Sequence, residues 1–521
     1  MSPEVLSVVK LGVALVACWV VGREVLHGRS FRGSSALLAL LALLAVGAYF
    51  APLAQRKSVV HRWEMFHYYL GSKFHRELGY ERLYACVAVA DVEAGVPGVE
   101  KRRIRDLETD LLITAERAVK APESCKAHFS AARWQAFTSD VGLFRRGTGS
   151  SRLWQETQRD HGYNPPPLWT LVGRTVAGLA PPTERFLSVV ASLDWVLMGA
   201  SLGLLGWAFG GRVALVAAIF WGTQAASEIG WTGGGFLRQD WLFAAMASLA
   251  LLRKGWPFAA GCALAVAGLL RLFPLLLFAG PAVLLVSGLV RARTVPSDRW
   301  RFFAGATATA SVVALVTLHA VGTDSYARFW EHIQLRHTSA ITNHMSLRTL
   351  FAFAPDARLG ALVDDRLVDP GTSWANARAA RLSSLAFAYH AGVAGMVLAV
   401  VFTSWRLRTP WLAVALSLPL IPAMTDPACY YYSVWVLSGV VLRARPAVGV
   451  TLLGVAAAGQ LLVLQVRDHE VQYVVLALLY VVSAVVLVTS FTDGPLARLR
   501  RFRERRRANG DDGGAERPLA A

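Results

Sequence analysis

Long apolar runs recur along this chain, separated mostly by short connectors rich in arginine. The runs lie near Val5–Gly22, Ser35–Ala54, Phe186–Trp207, Val213–Ile229, Trp241–Leu252, Pro257–Leu270, Phe273–Val290, Phe303–Val321, Leu385–Phe402, Trp411–Thr425, Tyr431–Leu442, Val448–Leu464 and Val471–Phe491. A bilayer asks for roughly 20 apolar residues per helix, so the pattern predicts about 11–13 transmembrane helices, with the short runs open to merging. Two polar stretches break the rhythm, at 55–185 and 322–384. The first reads as amphipathic pieces (Arg102–Ala121, Ala127–Phe137, Leu153–Asp160) joined by Gly- and Pro-containing turns. The expected fold class is an all-α polytopic membrane protein with amphipathic helices in two long extracytoplasmic loops.

Composition agrees. Of 521 residues, 55% are hydrophobic and 17% charged, and soluble domains carry about 25% charge. The net charge of +18 does not point to nucleic acid, because basic clusters sit where cytoplasmic connectors should be, after every odd-numbered run except the third, which has only Arg212. Arg23, Arg29 and Arg32 follow the first run, Arg253 and Lys254 the fifth, Arg291 and Arg293 the seventh, Arg406 and Arg408 the ninth, and Arg443 and Arg445 the eleventh. By the positive-inside rule the N-terminus is outside and the C-terminus cytoplasmic. The chain then divides into two N-terminal transmembrane helices (1–54), a first extracytoplasmic loop (55–185), a transmembrane bundle (186–321), a second extracytoplasmic loop (322–384), a C-terminal bundle (385–491) and a basic cytoplasmic tail (492–521). The first run has too little preceding charge, and no A-x-A-like site, for a cleaved signal peptide. High Ala, Arg and Gly content suits a bacterial protein of the inner (plasma) membrane. Among five cysteines, Cys86 and Cys125 share one long loop, where a disulfide is open to them if that loop is extracytoplasmic.

Candidate chemistry gathers on the outer side. Glu64, His67, Tyr68 and Tyr69 follow the second run. If Met65 to Lys73 is helical, Glu64, Tyr68, Ser72 and His75 share a face. A carboxylate among His and Tyr at a bundle mouth suits a general base, and an interfacial helix with Trp63, Tyr68 and Tyr69 as its aromatic belt has the same composition. Asp160, His161, Tyr163 and Asn164 close the first loop before three prolines. A glycine turn at Gly233 leads to Arg238 and Asp240, where Asp240 would alternatively complement a helix dipole. Arg271 is the only charge between Phe258 and Val290. Charge at such depth is costly; it either grips a lipid phosphate in bidentate fashion or snorkels at a hairpin tip. In the second loop, His337, His344 and Arg348 could grip phosphate while Asn343 and Ser346 bond sugar hydroxyls, a composition a wet interfacial helix shares. Asp426 returns beside Tyr430, Tyr431 and Tyr432, tyrosines that read as belt residues. Phosphate-loop, zinc-protease, serine-elbow and Rossmann signatures are missing. No metal or other cofactor is expected, and any donor should arrive from within the membrane.

This organisation resembles the GT-C-fold glycosyltransferases, and most closely the bacterial polyprenyl-phosphate-mannose-dependent alpha-mannosyltransferases and their uncharacterised relatives. The likeness rests on Glu64-Met-Phe-His-Tyr-Tyr after a membrane helix, Arg271-Leu-Phe-Pro274 between two apolar helices, and Asn343-His-Met-Ser-Leu in the second loop, similar to that family's Asn-Gln-Ser-Leu step. In the family the loop-one base is typically aspartate; Glu64 stands at the matching place, with Asp91 and Asp106 as rivals. The family's loop follows its first span, whereas here it follows the second, which implies an extra N-terminal helix. The resemblance implies a mannosyltransferase of the cell envelope, with a polyprenyl-phosphate sugar donor, a lipid or glycan acceptor, and a site facing the periplasm or exterior among membrane lipids. Rival readings are a surface-polysaccharide polymerase or ligase, and a transporter or flippase of a lipid-linked substrate, for which paired halves are missing.

Overall fold

The structure, a computed structural model, describes residues 2–56, 58–293, 296–337, 339 and 341–491. The tail expected to be cytoplasmic and the side chain of His337 lie outside the described residues. In chain order the bundle contains α1 (Pro3–His27), α2 (Ser34–Ala54), α3 (Glu184–Phe209), α4 (Gly211–Thr223), α5 (Asp240–Arg253) and α6 (Pro257–Leu270). A span Phe273–Arg291 follows, opening as a 3-10 turn. Then come α7 (Ser297–Ala320), α8 (Ala386–Trp405), a broken segment of Pro410–Ala415 and Leu420–Met424, a 3-10 helix Cys429–Arg443, α9 (Ala447–Gln465) and α10 (His469–Thr489). Among the described residues, 8 helices are long and apolar enough to cross a bilayer by themselves. This is an all-α multi-pass membrane protein, and each apolar run of the sequence coincides with a helical segment.

Two short runs end differently from ordinary helices. The Tyr431–Leu442 run is wound as a 15-residue 3-10 helix. At about 2.0 Å rise per residue, it extends roughly 30 Å, the thickness of the hydrocarbon core. The run expected to reach Ile229 stops at Thr223, and Gln224 is extended. Inside a bilayer such a break needs its backbone groups satisfied by protein. Here Gln460 Nε2 donates to the Thr223 carbonyl at 2.8 Å, and side-chain bonds from Ser227 Oγ to the Tyr430 carbonyl at 3.1 Å and from Tyr480 OH to Gln224 Oε1 at 2.9 Å pin the stretch to its neighbours. Lys10, buried in α1, pairs with Glu228 at 3.1 Å and so ties the first helix to this unwound stretch.

Helix α1 packs on α9, α2 on α4, and α3 on both α4 and α5. The tightest approach joins α6 to α7. A Cβ at Gly261 would lie 1.8 Å from the Phe302 carbonyl oxygen, the small-residue contact that lets membrane helices close up without a hydrophobic driving force.

The first long segment folds over one end of the bundle, and its core is continuous with the bundle's. Phe66 packs edge-on to Trp154 and Phe144 and is stacked with Tyr84. Asp91 is fully buried and accepts from Arg102, Arg145 and Trp154 at 2.5, 2.6 and 2.8 Å. The amphipathic piece expected at Arg102–Ala121 is instead a two-stranded hairpin, Arg103–Arg105 against Leu112–Thr114, followed by a short helix Glu116–Lys120. Its alternation explains the difference: Ile104 points inward between two arginines, and Asp110 adopts a left-handed turn conformation (φ 60°). Ser130 and Ser150 cap the helices Ala131–Gly147 and Ser151–Thr157. The second long segment meets the first, with Arg105 3.6 Å from Asp369. It is also anchored to the last helix, where Glu470 accepts from Trp374 and from the Leu359 amide at 2.8 and 2.7 Å.

Cys86 and Cys125 form a disulfide that closes a loop of sequence separation 39. Replacing both with alanine is expected to lower the stability of the first long segment by about 3–4 kcal/mol. Urea unfolding followed by protease sensitivity of residues 80–130 checks this; an unchanged midpoint would remove the bond from the stability of the fold.

Candidate functional site

The site is built where four elements converge on the turn before α5. Glu64 sits in the short helix Arg62–Met65, whose Glu64 amide donates to His61 Nδ1 at 3.3 Å. The chain does not continue as a regular helix. Phe66–Leu70 forms a π-turn, and all five residues are buried. The extra residue per turn, a feature common near functional sites, breaks the expected stripe. Glu64 and Tyr68 meet at Arg238, whereas Ser72 packs on Gly173 and His75 lies against Tyr80 and Tyr163.

Arg238 is held from its backbone outward. Gly234 (φ +84°) passes so close to residues 59–61 that a Cβ would lie 1.8 Å from the Val59 carbonyl oxygen, and its own carbonyl accepts the His61 amide at 2.8 Å. Leu237 carries a left-handed φ of 51°, which costs a non-glycine residue about 1–2 kcal/mol and persists only where surroundings impose it. Trp169 Nε1 donates to the Leu237 carbonyl at 3.2 Å, and Trp241 Nε1 to the Arg238 carbonyl at 3.0 Å. The guanidinium lies 4.5 Å over the Tyr68 ring, 5.0 Å over Tyr430 and 5.8 Å over Tyr431, a cation–π box. Its Nε is 3.0 Å from Glu64 Oε2, near enough for an ion pair though not aligned as a hydrogen bond, and its Nη1 and Nη2 are buried without hydrogen-bond partners.

Arg271 adjoins it. It ends α6 in extended conformation, is 6% exposed, and lies 5.4 Å over Trp169, whose ring is itself 5.4 Å from Tyr68. It does not snorkel. Nη1 donates to the Leu270 carbonyl at 2.7 Å, while Nε and Nη2 are buried and unpartnered. Asp240 opens α5; one oxygen accepts the Trp241 amide at 2.7 Å, as a dipole-complementing carboxylate would, and the other is buried without a partner. Asn164 accepts from Tyr68 OH at 3.1 Å. The structure thus brings Glu64, Tyr68, Asn164, Arg238, Asp240 and Arg271 together.

The other sequence candidates go elsewhere. His67 bridges the Trp63 carbonyl, Tyr84 OH and the Thr157 carbonyl, at 2.8, 2.7 and 3.0 Å. Tyr69 OH donates to the Ala177 carbonyl at 3.1 Å, and Asp160 accepts from Trp63 Nε1 at 2.6 Å. These three hold the first long segment together. Of Glu64's rivals, Asp91 is consumed by its arginines, and Asp106 caps its own turn through the Glu108 amide and Thr109. A second polar knot forms where 343–345 pairs with 427–429. The Met345 amide donates to the Pro427 carbonyl at 3.0 Å, and the Cys429 amide to the Asn343 carbonyl at 2.8 Å. Asp426 accepts from Ser346 at 2.5 Å and lies 3.2 Å from His344 Nδ1. Burial opposes its ionisation, but His344, Ser346 and Arg348 outweigh burial and hold its carboxyl well below the usual range. Ser346 also caps the helix Leu347–Ala352, and Asn343 Oδ1 is buried without a partner. The chain links the knot to the arginine box, since Tyr430 and Tyr431 follow the paired segment 427–429.

Sequence reading missed Tyr430, Tyr431 and Trp169 as walls of the site, and Asp194 behind it. Asp194 carried a signal: it is the only charge in the run Phe186–Trp207, as Arg271 is in its own. Comparison with protein-family models, curated proteins and solved structures gives no match.

Three histidines of the two long polar segments are pushed down to about 4. Burial with nearby Arg174 and Arg328 brings His75 to about 4; burial with Arg105 brings His161 to about 4, and burial with His161 brings His332 to about 4. Unfolded histidines titrate near ~6.5, so below that value the unfolded chain takes up protons that the folded one refuses. Stability should therefore fall as pH drops from about 6.5 toward about 4. His75→Phe, which keeps the ring contacts and removes an unpartnered Nδ1, should flatten part of that slope in thermal melts; an unchanged slope would exclude His75.

Proposed function

We propose that this protein is an integral membrane glycosyltransferase of the GT-C kind. It moves a sugar, mannose-like by resemblance, from a polyprenyl-phosphate donor to a lipid or glycan acceptor at the outer face of a bacterial inner membrane. The observation that carries the reading is the pair of buried arginines, Arg238 and Arg271, which between them keep four nitrogens without hydrogen-bond partners although Glu64 lies beside Arg238 Nε. Buried N–H groups without acceptors are costly. A phosphate oxygen supplies what they lack, and guanidinium matches it in bidentate geometry. The basic connectors and the Cys86–Cys125 bond support an oxidising, extracytoplasmic position for the roof.

In the proposed reaction the donor phosphate lies between Arg238 and Arg271, and the tyrosines and Trp169 shape the pocket wall. Glu64 leaves the Arg238 Nε and takes the proton from the acceptor hydroxyl. The acceptor oxygen bonds to the anomeric carbon as the bond from that carbon to the phosphate oxygen breaks, with inversion. The lipid phosphate departs with the bonding electron pair, its charge met by the two guanidinium groups. Asn164, through Tyr68, orients the box.

Transfer from radiolabelled polyprenyl-phosphate sugars in membranes tests this. Glu64→Gln keeps shape and loses the proton acceptor, and should reduce transfer about a hundredfold or more. Arg271→Gln should weaken donor use as well. Equal transfer by wild type and Glu64→Gln would remove the base; wild-type membranes that transfer from no monophosphate donor would favour the polymerase or transporter readings.

A further inference from the structure

The turn that presents Arg238 is fastened by a residue from a different membrane helix. Asp194 lies midway along α3, is 3% exposed, and is the only charge in its apolar run. Its Oδ1 accepts the amides of Arg238 and Gln239, both at 2.9 Å, and its Oδ2 accepts the Arg238 amide at 3.0 Å. These are the free amides before α5, a helix with no side-chain cap of its own at Gln239. A local serine or aspartate would serve the helix end equally well. A carboxylate taken from another membrane helix, by contrast, fixes one residue's backbone relative to the bundle.

We propose that Asp194 is a positioning residue for the anion seat, setting the direction in which Arg238 aims its two unpartnered nitrogens. This rests on reading Arg238 and Arg271 as the seat of a phosphate. With the Arg238 amide held by Asp194, its carbonyl by Trp241 and the preceding carbonyl by Trp169, the residue has no backbone freedom left. Its side chain must enter the tyrosine box with Nε toward Glu64. Arg271 is carried by α6 and does not depend on this fastening.

The test is a comparison of backgrounds on the full-length protein in nanodiscs, reading the Kd for farnesyl phosphate, with farnesol and inorganic phosphate as controls. Asp194→Asn keeps the size but turns an N–H donor toward the backbone amides. It should weaken farnesyl phosphate binding about tenfold in the wild-type and Arg271→Gln backgrounds, and by less than about twofold once Arg238→Gln is present. The same loss in all three backgrounds would make Asp194 a general stabiliser and overturn the proposal, as would no loss in any. If Asp194→Asn does not fold, Asp194→Glu, which keeps the charge and displaces it by one methylene, should give the same background dependence. Should wild type bind farnesyl phosphate no better than farnesol, with both arginine variants unchanged, the anion seat itself falls. Inorganic phosphate binding as tightly as farnesyl phosphate would overturn the lipid as the source of the anion.

Discussion

The Glu64–Arg238 pair is the contact on which this architecture turns. Taking two charges out of water costs several kcal/mol per ion, and attraction repays that only with good surroundings. Here the surroundings come from every part of the chain: Tyr68 from the outer segment, Tyr430 and Tyr431 from the 3-10 helix, and backbone fastening from Asp194 and Trp169. The left-handed Leu237 and the close passage of Gly234 are local costs accepted to bring the guanidinium there. Bundle and roof therefore share one core, and neither side of the site is complete without the other.

The two polar knots differ in kind. Around Asp426 the carboxylate, His344 and Ser346 partner one another, with Ser346 serving both the carboxylate and a helix end. Around Arg238 and Arg271 the donors outnumber the acceptors. The knot around Asp426 resembles a clasp, holding the second loop to the segment that carries the tyrosines.

Much of this was legible in the chain. Hydropathy located every bundle segment, and Glu64, Arg238, Asp240 and Arg271 stood out as charges next to or inside apolar runs. The logic that singled out Arg271 applies equally to Asp194 and Lys10, each the lone charge of its run; both are structural partners of the unwound stretches before α5. Other features leave no such mark. A π-turn at Phe66–Leu70 and a 3-10 winding at Cys429–Arg443 change the angular spacing of side chains but not their hydropathy. Tyrosines at a membrane mouth look alike whether they face headgroups or a guanidinium. The hairpin at Arg103–Thr114 is too short for alternation to overrule a helical reading.

The winding of Cys429–Arg443 has a geometric consequence for how its surface is organised. At 3.0 residues per turn, side chains three apart eclipse one another, so the rod carries three straight ribs along its length. Tyr432 and Trp435 begin one rib, their rings stacked at 5.9 Å; Tyr431, Val434 and Leu437 form the next, and Tyr430, Ser433 and Val436 the third. The three tyrosines therefore lie on three different ribs, and Tyr430 and Tyr431, on adjacent ones, both turn a ring to Arg238.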